Sequence, residues 1–280
     1  MSDGNFTIAV AVNDRETLRN NLYLSPGLTN GGRNEILIKE NFKSASAAYN
    51  SAIDDASNDV IIFVHQDIYL PETWFPDLRR AISNLKDHKA DWGVLGCFGS
   101  RRAALGGLGQ VFTNGRGVHG NRIAVPEVVE TLDEILLVLR KSSGLRFDPA
   151  LPHFHLYGTD ICMEARKRGM DSYAFQGFCV HNTNQLLHLP TEFYACYQYV
   201  RRKWKKYLPI YASCTKISRF NDELYLRRLR ELGDRALGLH KQPKFRVSDP
   251  RNLLADQAIP PDKAIPAHRP QSSPTRRDGR

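Results

Sequence analysis

The chain has 280 residues, 41% hydrophobic and 25% charged. That length suits one large α/β domain or two small ones, and that balance is the one expected of a soluble globular protein. No apolar run is long enough to span a bilayer, which excludes a transmembrane helix at this level. The net charge of +9 is uneven: residues 1–200 hold 19 Lys/Arg against 22 Asp/Glu, a net −3, while residues 201–280 hold 20 against 8, a net +12. A nucleic-acid-binding core is not expected to confine its basic residues to one end.

The start, Met1-Ser2-Asp3-Gly4-Asn5, lacks the basic beginning of a signal peptide. The five cysteines, Cys97, Cys162, Cys179, Cys196 and Cys214, are odd in number and form no C-x-x-C, so buried thiols are expected rather than bridges or zinc ligands. A reducing, cytoplasmic setting follows.

Phe6 to Val12 predicts a first buried strand, ending at Asn13-Asp14, residues suited to a turn and a helix cap. A helix over Glu16 to Leu24 and a strand over Glu35 to Lys39 follow, then a small-residue helix over Ser44 to Ala56 that contains Asn50. Val60-Ile61-Ile62-Phe63-Val64 is apolar and mostly β-branched without a polar break, the pattern of a strand buried on both faces. It stops at His65-Gln66-Asp67, and Pro71 opens a helix over Glu72 to Leu85. Alternation of this kind predicts a doubly wound, mostly parallel sheet flanked by helices. Polar residues at the carboxyl end of such a strand lie where open α/β sheets bind ligands, so Asp67 is either an oxygen ligand for a cation that holds phosphates or simply a cap for the following helix. No G-x-G-x-x-G follows the first strand, which argues against an NAD-type enzyme.

Trp92 to Phe98 predicts another strand, and the glycine-rich run from Gly99 to Gly120 a hairpin or insertion, with a mobile flap near the site as its functional alternative. Val125 to Lys141 is mostly apolar and carries Asp133-Glu134, a pair that suits a solvated turn better than an acceptor site. A loop then leads into a helix with Asp160 in its first turn and Gly169 as its C-cap. The helix dipole favours an ionised Asp160, as a proton-accepting carboxylate requires and as equally suits a plain helix cap. Tyr173 to Val180 predicts a final strand ending in His181. Tyr194 to Tyr211 interleaves aromatics with bases, Asp222 to Leu232 is a second basic helix, and residues 241–280 have the composition of a disordered tail. The expected organisation is a catalytic domain over 1–190, a basic aromatic helical extension over 191–240, and that tail.

Four blocks in order resemble the family 2 glycosyltransferases of GT-A fold, in the branch that writes D-x-D as H-Q-D. They are Ser46 to Ile53; Phe63-Val64-His65-Gln66-Asp67; Phe147-Asp148 followed by Gly158-Thr159-Asp160; and His181. The likeness runs from about Ile8 to His181. It implies an inverting, hexosyltransferase-type enzyme that moves a sugar from a nucleotide-diphosphate donor to an acceptor hydroxyl. It implies a divalent metal, Mn2+ or Mg2+, held by Asp67 and His181; donor contacts from Asn13, Asn50, Gln66 and Asp67; and Asp160 as catalytic base. The acceptor would be a glycan or lipid-linked molecule of cell-surface polysaccharide or lipopolysaccharide synthesis. Residues 197–207 would touch the anionic inner face of the membrane. His65 in place of Asp removes one expected carboxylate, and Thr159 replaces the Glu of the family's E-D pair. Trp74, His153 and His155 are candidates to shape the acceptor side. The competing functions are a GT-A-like module that binds nucleotide sugar without turnover, and a nucleotidyltransferase. The latter is expected to carry a basic, glycine-rich loop after its first strand, which Asn13-Asp14-Arg15-Glu16 does not supply.

Overall fold

The computed structural model describes residues 5–102, 106–185, 188–220, 222–238 and 244–255. A seven-stranded sheet runs in the order Glu35–Glu40, Thr7–Val12, Val60–His65, Leu136–Arg140, Trp92–Gly96, Asp171–Ala174, Glu127–Val129. The first three strands are mutually parallel, as are Trp92–Gly96 and Asp171–Ala174. Leu136–Arg140 is antiparallel to both its neighbours, and Glu127–Val129 to its single one. The mixed α/β architecture with a mostly parallel sheet is the one expected, with one correction. The stretch after Val125 is not a single apolar element. It breaks into the strands Glu127–Val129, Thr131–Leu132 and Leu136–Arg140, and the last of these divides the parallel set.

Both faces of the sheet are covered. Ile61 and Phe63 enter one apolar cluster with Tyr49, Phe147 and Tyr157, while Ile62 and Val64 enter the other with Trp74, Phe75 and Leu78. Successive strand residues point to opposite faces, so an unbroken apolar run fits only a strand with a core on each side. The helices are capped as their sequences suggest. The Asp14 side chain accepts from Glu16 N ahead of Arg15–Asn20, and Ser44 accepts from Ala47 N ahead of Ala45–Asp55. The first helix is shorter than expected, ending at Asn20 before a single 3-10 turn at Leu22–Leu24. The helix Trp74–Asp87 starts two residues later than expected.

The final predicted strand is two: Asp171–Ala174 in the main sheet and Cys179–His181 in a smaller one. That smaller sheet runs Ile68–Tyr69, Cys179–His181, Val111–Thr113, Gly117–His119. The glycine-rich run therefore contributes a hairpin that packs beside His181. Its glycines have a steric reason. A Cβ at Gly109 would stand 2.1 Å from the Cys97 carbonyl oxygen, and one at Gly120 equally close to that of Gly109.

The basic segment Thr191–Lys203 is a helix that buries Phe193, Cys196, Tyr197 and Val200, with Trp204 also buried just beyond it. Its aromatics belong to the core, and Arg202, Lys205, Lys206 and Tyr207 are what it leaves exposed. The tail expectation needs correcting for residues 244–255. Leu253 and Leu254 pack against Tyr69, Phe112 and Val180, and the backbone bonds Asn114, Asn182 and Gln185. Two leucines and a row of buried partners outweigh a composition that is otherwise polar. Residues 256–280 lie outside the described residues. All five cysteines are free thiols, four of them buried. Among the described residues no helix is long and apolar enough to cross a membrane.

Candidate functional site

His65 is the last residue of the central strand. It lies opposite Ala11, and its N–H donates to the Ile135 carbonyl at 3.0 Å. The chain then turns through Gln66-Asp67 and enters the smaller sheet at Ile68, where His181 is the paired residue. Asn182 N–H donates to the Asp67 carbonyl at 2.9 Å. That crossing from one sheet to the other brings His181 to Asp67. Side-chain ligand atoms of His65, Asp67 and His181 all lie within 4.8 Å of one another, and His181 Nε2 is 3.5 Å from Asp67 Oδ1.

Burial would push the Asp67 carboxyl up. His181, His65 and Arg246 outweigh it, and the carboxyl is held well below the usual range. Burial likewise works against charge on His181, and the adjacent Asp67 carries the net direction upward. His65 is pushed down to about 4, chiefly by burial, and stays neutral at physiological pH. Its tautomer follows from its partners. The Tyr157 hydroxyl donates to the Glu134 carbonyl at 2.8 Å, so it accepts from His65 Nε2 at 2.8 Å. Nε2 thus carries the proton and Nδ1 the lone pair, the arrangement of a histidine oriented for a metal by its outer hydrogen bond.

One ionised carboxylate and two imidazoles fit a divalent cation, and the nitrogen donors favour Mn2+ over Mg2+. The sequence reading named Asp67 and His181 and counted His65 as a lost ligand. The structure brings His65 into the same cluster. Its H-Q-D spacing carried the signal, since a histidine at a strand exit ligates metals as readily as a carboxylate.

The cluster opens on a cleft of about 510 Å3 lined by Ala11, Asn13, Lys39, Tyr49, Phe154 and the His65-Gln66-Asp67 turn, among others. Gln66 fixes its rim: Oε1 accepts from Asn13 N at 3.1 Å and Asp14 N at 3.2 Å, and Nε2 donates to Asn13 Oδ1. Asn13 and Gln66 both line the cleft. Asn50 does not line the cleft. Its amide clamps the loop at Phe147, donating to the carbonyl at 2.8 Å and accepting from the N–H at 3.0 Å. Its helix supplies Tyr49 to the cleft instead. A second cleft of similar size, about 520 Å3, is lined by Arg101, Arg102, Arg166 and Lys206 and contains none of the clustered ligands.

Asp160 is elsewhere. It is 1% exposed, and both of its oxygens are engaged: Oδ1 accepts from Trp204 Nε1 at 2.6 Å and Oδ2 from Lys203 Nζ at 2.8 Å. Lys203 also pairs with Asp148 at 2.7 Å and Glu164 at 2.8 Å. Burial pushes the Asp160 carboxyl up, with Lys203 opposing, the reverse of the direction expected from the helix dipole. Here Asp160 ties the helix Tyr157–Lys167 to Lys203 and Trp204 at the end of the helix Thr191–Lys203, with both oxygens engaged in that link. Asp160, expected as the base, is not among the residues that line the cleft.

Another carboxylate, linked to the cluster through its backbone carbonyl and Tyr157, is Glu134, read from the sequence as part of a solvated turn. It precedes the strand Leu136–Arg140 and lies under the start of the helix Tyr157–Lys167. A Cβ at Gly158 would come within 3.2 Å of its Cα and Cβ. The N–H groups of Gly158 and Leu156 bond its carboxyl. His155 Nδ1 is 3.9 Å from Oε1, and the next residue, Phe154, lines the cleft. Burial, with Asp133 adding to it, pushes the Glu134 carboxyl up to about 8. No local pattern announces this residue, because its surroundings come from an antiparallel strand and a distant helix. Trp74 is 0% exposed and packs on Phe75 and Phe175, so it is core and not acceptor surface. The His153 carbonyl accepts from Ala45 N at 2.9 Å.

Solved structures of similar arrangement include S. aureus TarS 1-349 in complex with UDP-GlcNAc. That match is 14% identical, covers 71% of this chain and 66% of that one, and has a TM-score of 0.41. Another is the mannosyltransferase PcManGT from Pyrobaculum calidifontis in complex with GDP-Man and Mn2+, 12% identical over 63% of this chain and 56% of that one, at 0.40. A curated relative, "ATP synthase subunits region ORF 6" of Fuscovulum blasticum, is 30% identical over 157 residues, or 53% of this chain. The matched region spans 61% of that relative's length, under two thirds. The sequence model of the Glycosyltransferase like family matches residues 8–188, which take in the central strand, the H-Q-D turn and His181. With well over half its length matched, the chain belongs to the Glycosyltransferase like family.

Proposed function

We propose that the protein transfers a sugar from a nucleotide-diphosphate donor to an acceptor hydroxyl, with a divalent cation at His65, Asp67 and His181. The observation that carries this reading is the convergence of those three side chains, two of which, His65 and Asp67, line a 510 Å3 cleft at the carboxyl end of a parallel strand. Such a cation offsets the charge that builds on the departing diphosphate. Asp67 and the two histidines hold it, and Asn13 and Gln66 shape the donor's side of the cleft. Tyr157 accepts from His65 Nε2 and so leaves the lone pair on Nδ1.

The acceptor hydroxyl is a poor nucleophile and needs a positioned carboxylate to take its proton. We assign that role to Glu134 in place of Asp160, because Glu134 lies beside His155 and the Phe154 rim while Asp160 is spent on Lys203 and Trp204. A single in-line displacement inverts the anomeric carbon. The acceptor belongs to cell-surface polysaccharide or lipopolysaccharide synthesis, presented at the inner membrane face. Exposed Arg202, Lys205 and Lys206 favour such an anionic surface.

The test is a panel of nucleotide sugars, scored with Mn2+ for thermal stabilisation and for donor turnover. We expect one sugar nucleotide to raise Tm in the presence of Mn2+ and to be consumed. A panel that gives Mn2+-dependent binding without turnover would instead leave a binding module, and one that gives neither would overturn the assignment.

A further inference from the structure

Asp67 has a second cationic neighbour. Arg246, on the segment that returns after the helix Asp222–Ala236, places Nη2 3.3 Å from Asp67 Oδ2, the oxygen not facing His181. Its Nη1 donates to Thr17 Oγ1, and its Nε donates to the Asn182 carbonyl at 2.8 Å. The backbone around it is fastened on both sides. Arg246 N donates to Asn184 Oδ1 at 2.8 Å, Val247 N to Asn182 Oδ1 at 3.0 Å, and Asn182 Nδ2 to the Val247 carbonyl at 2.8 Å. Leu253 and Leu254 pin the far end on the smaller sheet.

A carboxylate shared between a histidine and a guanidinium is already neutralised. A divalent cation drawn to the same carboxylate competes with that guanidinium, because each added positive centre repels the one already held at close range. The Arg246 side chain keeps 24% of its surface exposed, so it has room to turn. Its planar fork matches phosphate oxygens, which the proposed donor brings beside the cation.

We propose that Arg246 is an exchangeable counter-ion: it neutralises Asp67 while no metal is bound, and moves to the diphosphate oxygens when cation and donor enter. The inference rests on the donor class proposed above, and its two halves are read separately. The protein is the full chain, with Arg246→Gln as the variant and Arg246→Lys as a control that keeps the charge without the fork. Mn2+ alone, followed by electron paramagnetic resonance, reads the first half. Losing the competing cation should tighten Mn2+ roughly threefold to fivefold in Arg246→Gln, the size of a partly exposed ion pair. UDP and GDP at saturating Mn2+ read the second half. The same variant should bind the diphosphate roughly tenfold more weakly, the worth of a charge-assisted hydrogen bond. Arg246→Lys should lie between wild type and Arg246→Gln in both. Opposite signs from one substitution are not produced by a merely structural strap.

Unchanged or weaker Mn2+ binding in Arg246→Gln overturns the counter-ion role, and an unchanged diphosphate affinity overturns the transfer to phosphate. Should neither diphosphate bind the wild type, the donor reading above fails along with the second half, while the Mn2+ arm still decides the first. Hydrogen exchange on the wild type needs no variant. Mn2+ alone should speed exchange over 244–248, and unchanged protection counts against displacement.

Discussion

Two buried carboxylates, Asp67 and Asp160, differ in their partners, and the partners decide what each can do. Asp67 is 8% exposed and faces two histidines and an arginine around a cleft. Asp160 is 1% exposed and faces Lys203 and Trp204, with Asp148 and Glu164 completing the charge cluster. In the first group several partners can be exchanged for an incoming ion. In the second both oxygens are engaged by a lysine and a tryptophan, and the lysine links two helices. A buried acid is therefore a candidate for chemistry only where its partners leave it something to do.

The largest effect that separates the two should come from Asp67→Ala. We expect Mn2+-dependent donor binding to fall by about 100-fold or more, since even an outer partner of a metal ligand costs 10–100-fold. Calorimetry with Mn2+ and nucleotide sugar measures it, and retained affinity would break the comparison on the Asp67 side. Glu134→Gln comes next. Donor binding should survive while transfer drops by about 10²–10⁴-fold, the range for a lost general base.

Its pH behaviour sharpens the point. A base must be unprotonated to act, so wild-type transfer should climb with pH through about 8, and the variant should lose that rise. Stability runs the other way. The folded state holds the Glu134 proton more tightly than the unfolded chain, so between about 4.5 and about 8 folding stability falls as pH rises. Glu134→Gln should flatten that fall in a series of thermal melts, and a slope that persists would remove Glu134 from the account.

Lys203→Met should cost about 3 kcal/mol of stability by stranding three carboxylates, at the low end for breaking a buried pair because the lysine side chain is 18% exposed. Urea unfolding reads this, and a neutral outcome would mean the cluster binds nothing together. Asp160→Asn keeps the shape and one acceptor and should cost about 1–2 kcal/mol. Donor transfer should remain near normal, and loss of transfer without loss of stability would restore Asp160 as the base. The smallest effect is expected from truncation after Ala255, which removes no described contact and should leave Tm unchanged. A chain ending at Gly238 uncovers Tyr69, Phe112 and Val180 and should melt lower.

Much of the architecture was legible in local pattern. Val60 to Val64 has apolar β-branched side chains at successive positions, which only a strand with a core on each face can bury, and that is where it lies. Asp14 and Ser44 are short acceptors ahead of helices, and both cap them. The H-Q-D turn was legible for a similar reason, since the end of a buried strand must meet polar surface. Asp160 misled because a carboxylate in a first helical turn looks the same whether or not a lysine waits on another helix. Residues 244–255 misled because a polar composition hides two leucines and a set of backbone bonds that only the folded surface offers.

By itself, then, the chain determined which segments become strands and helices, and that one strand delivers His65 and Asp67 to the sheet's edge. These follow from side-chain periodicity and capping, which act over a few neighbouring residues. The tertiary structure alone decided that His181 joins them, that Asp160 is tied to Lys203 and Trp204, and that Arg246 reaches Asp67. Each of these depends on pairing between segments far apart in the chain. Such pairing is set by which surfaces can be buried together, a property that no local stretch carries.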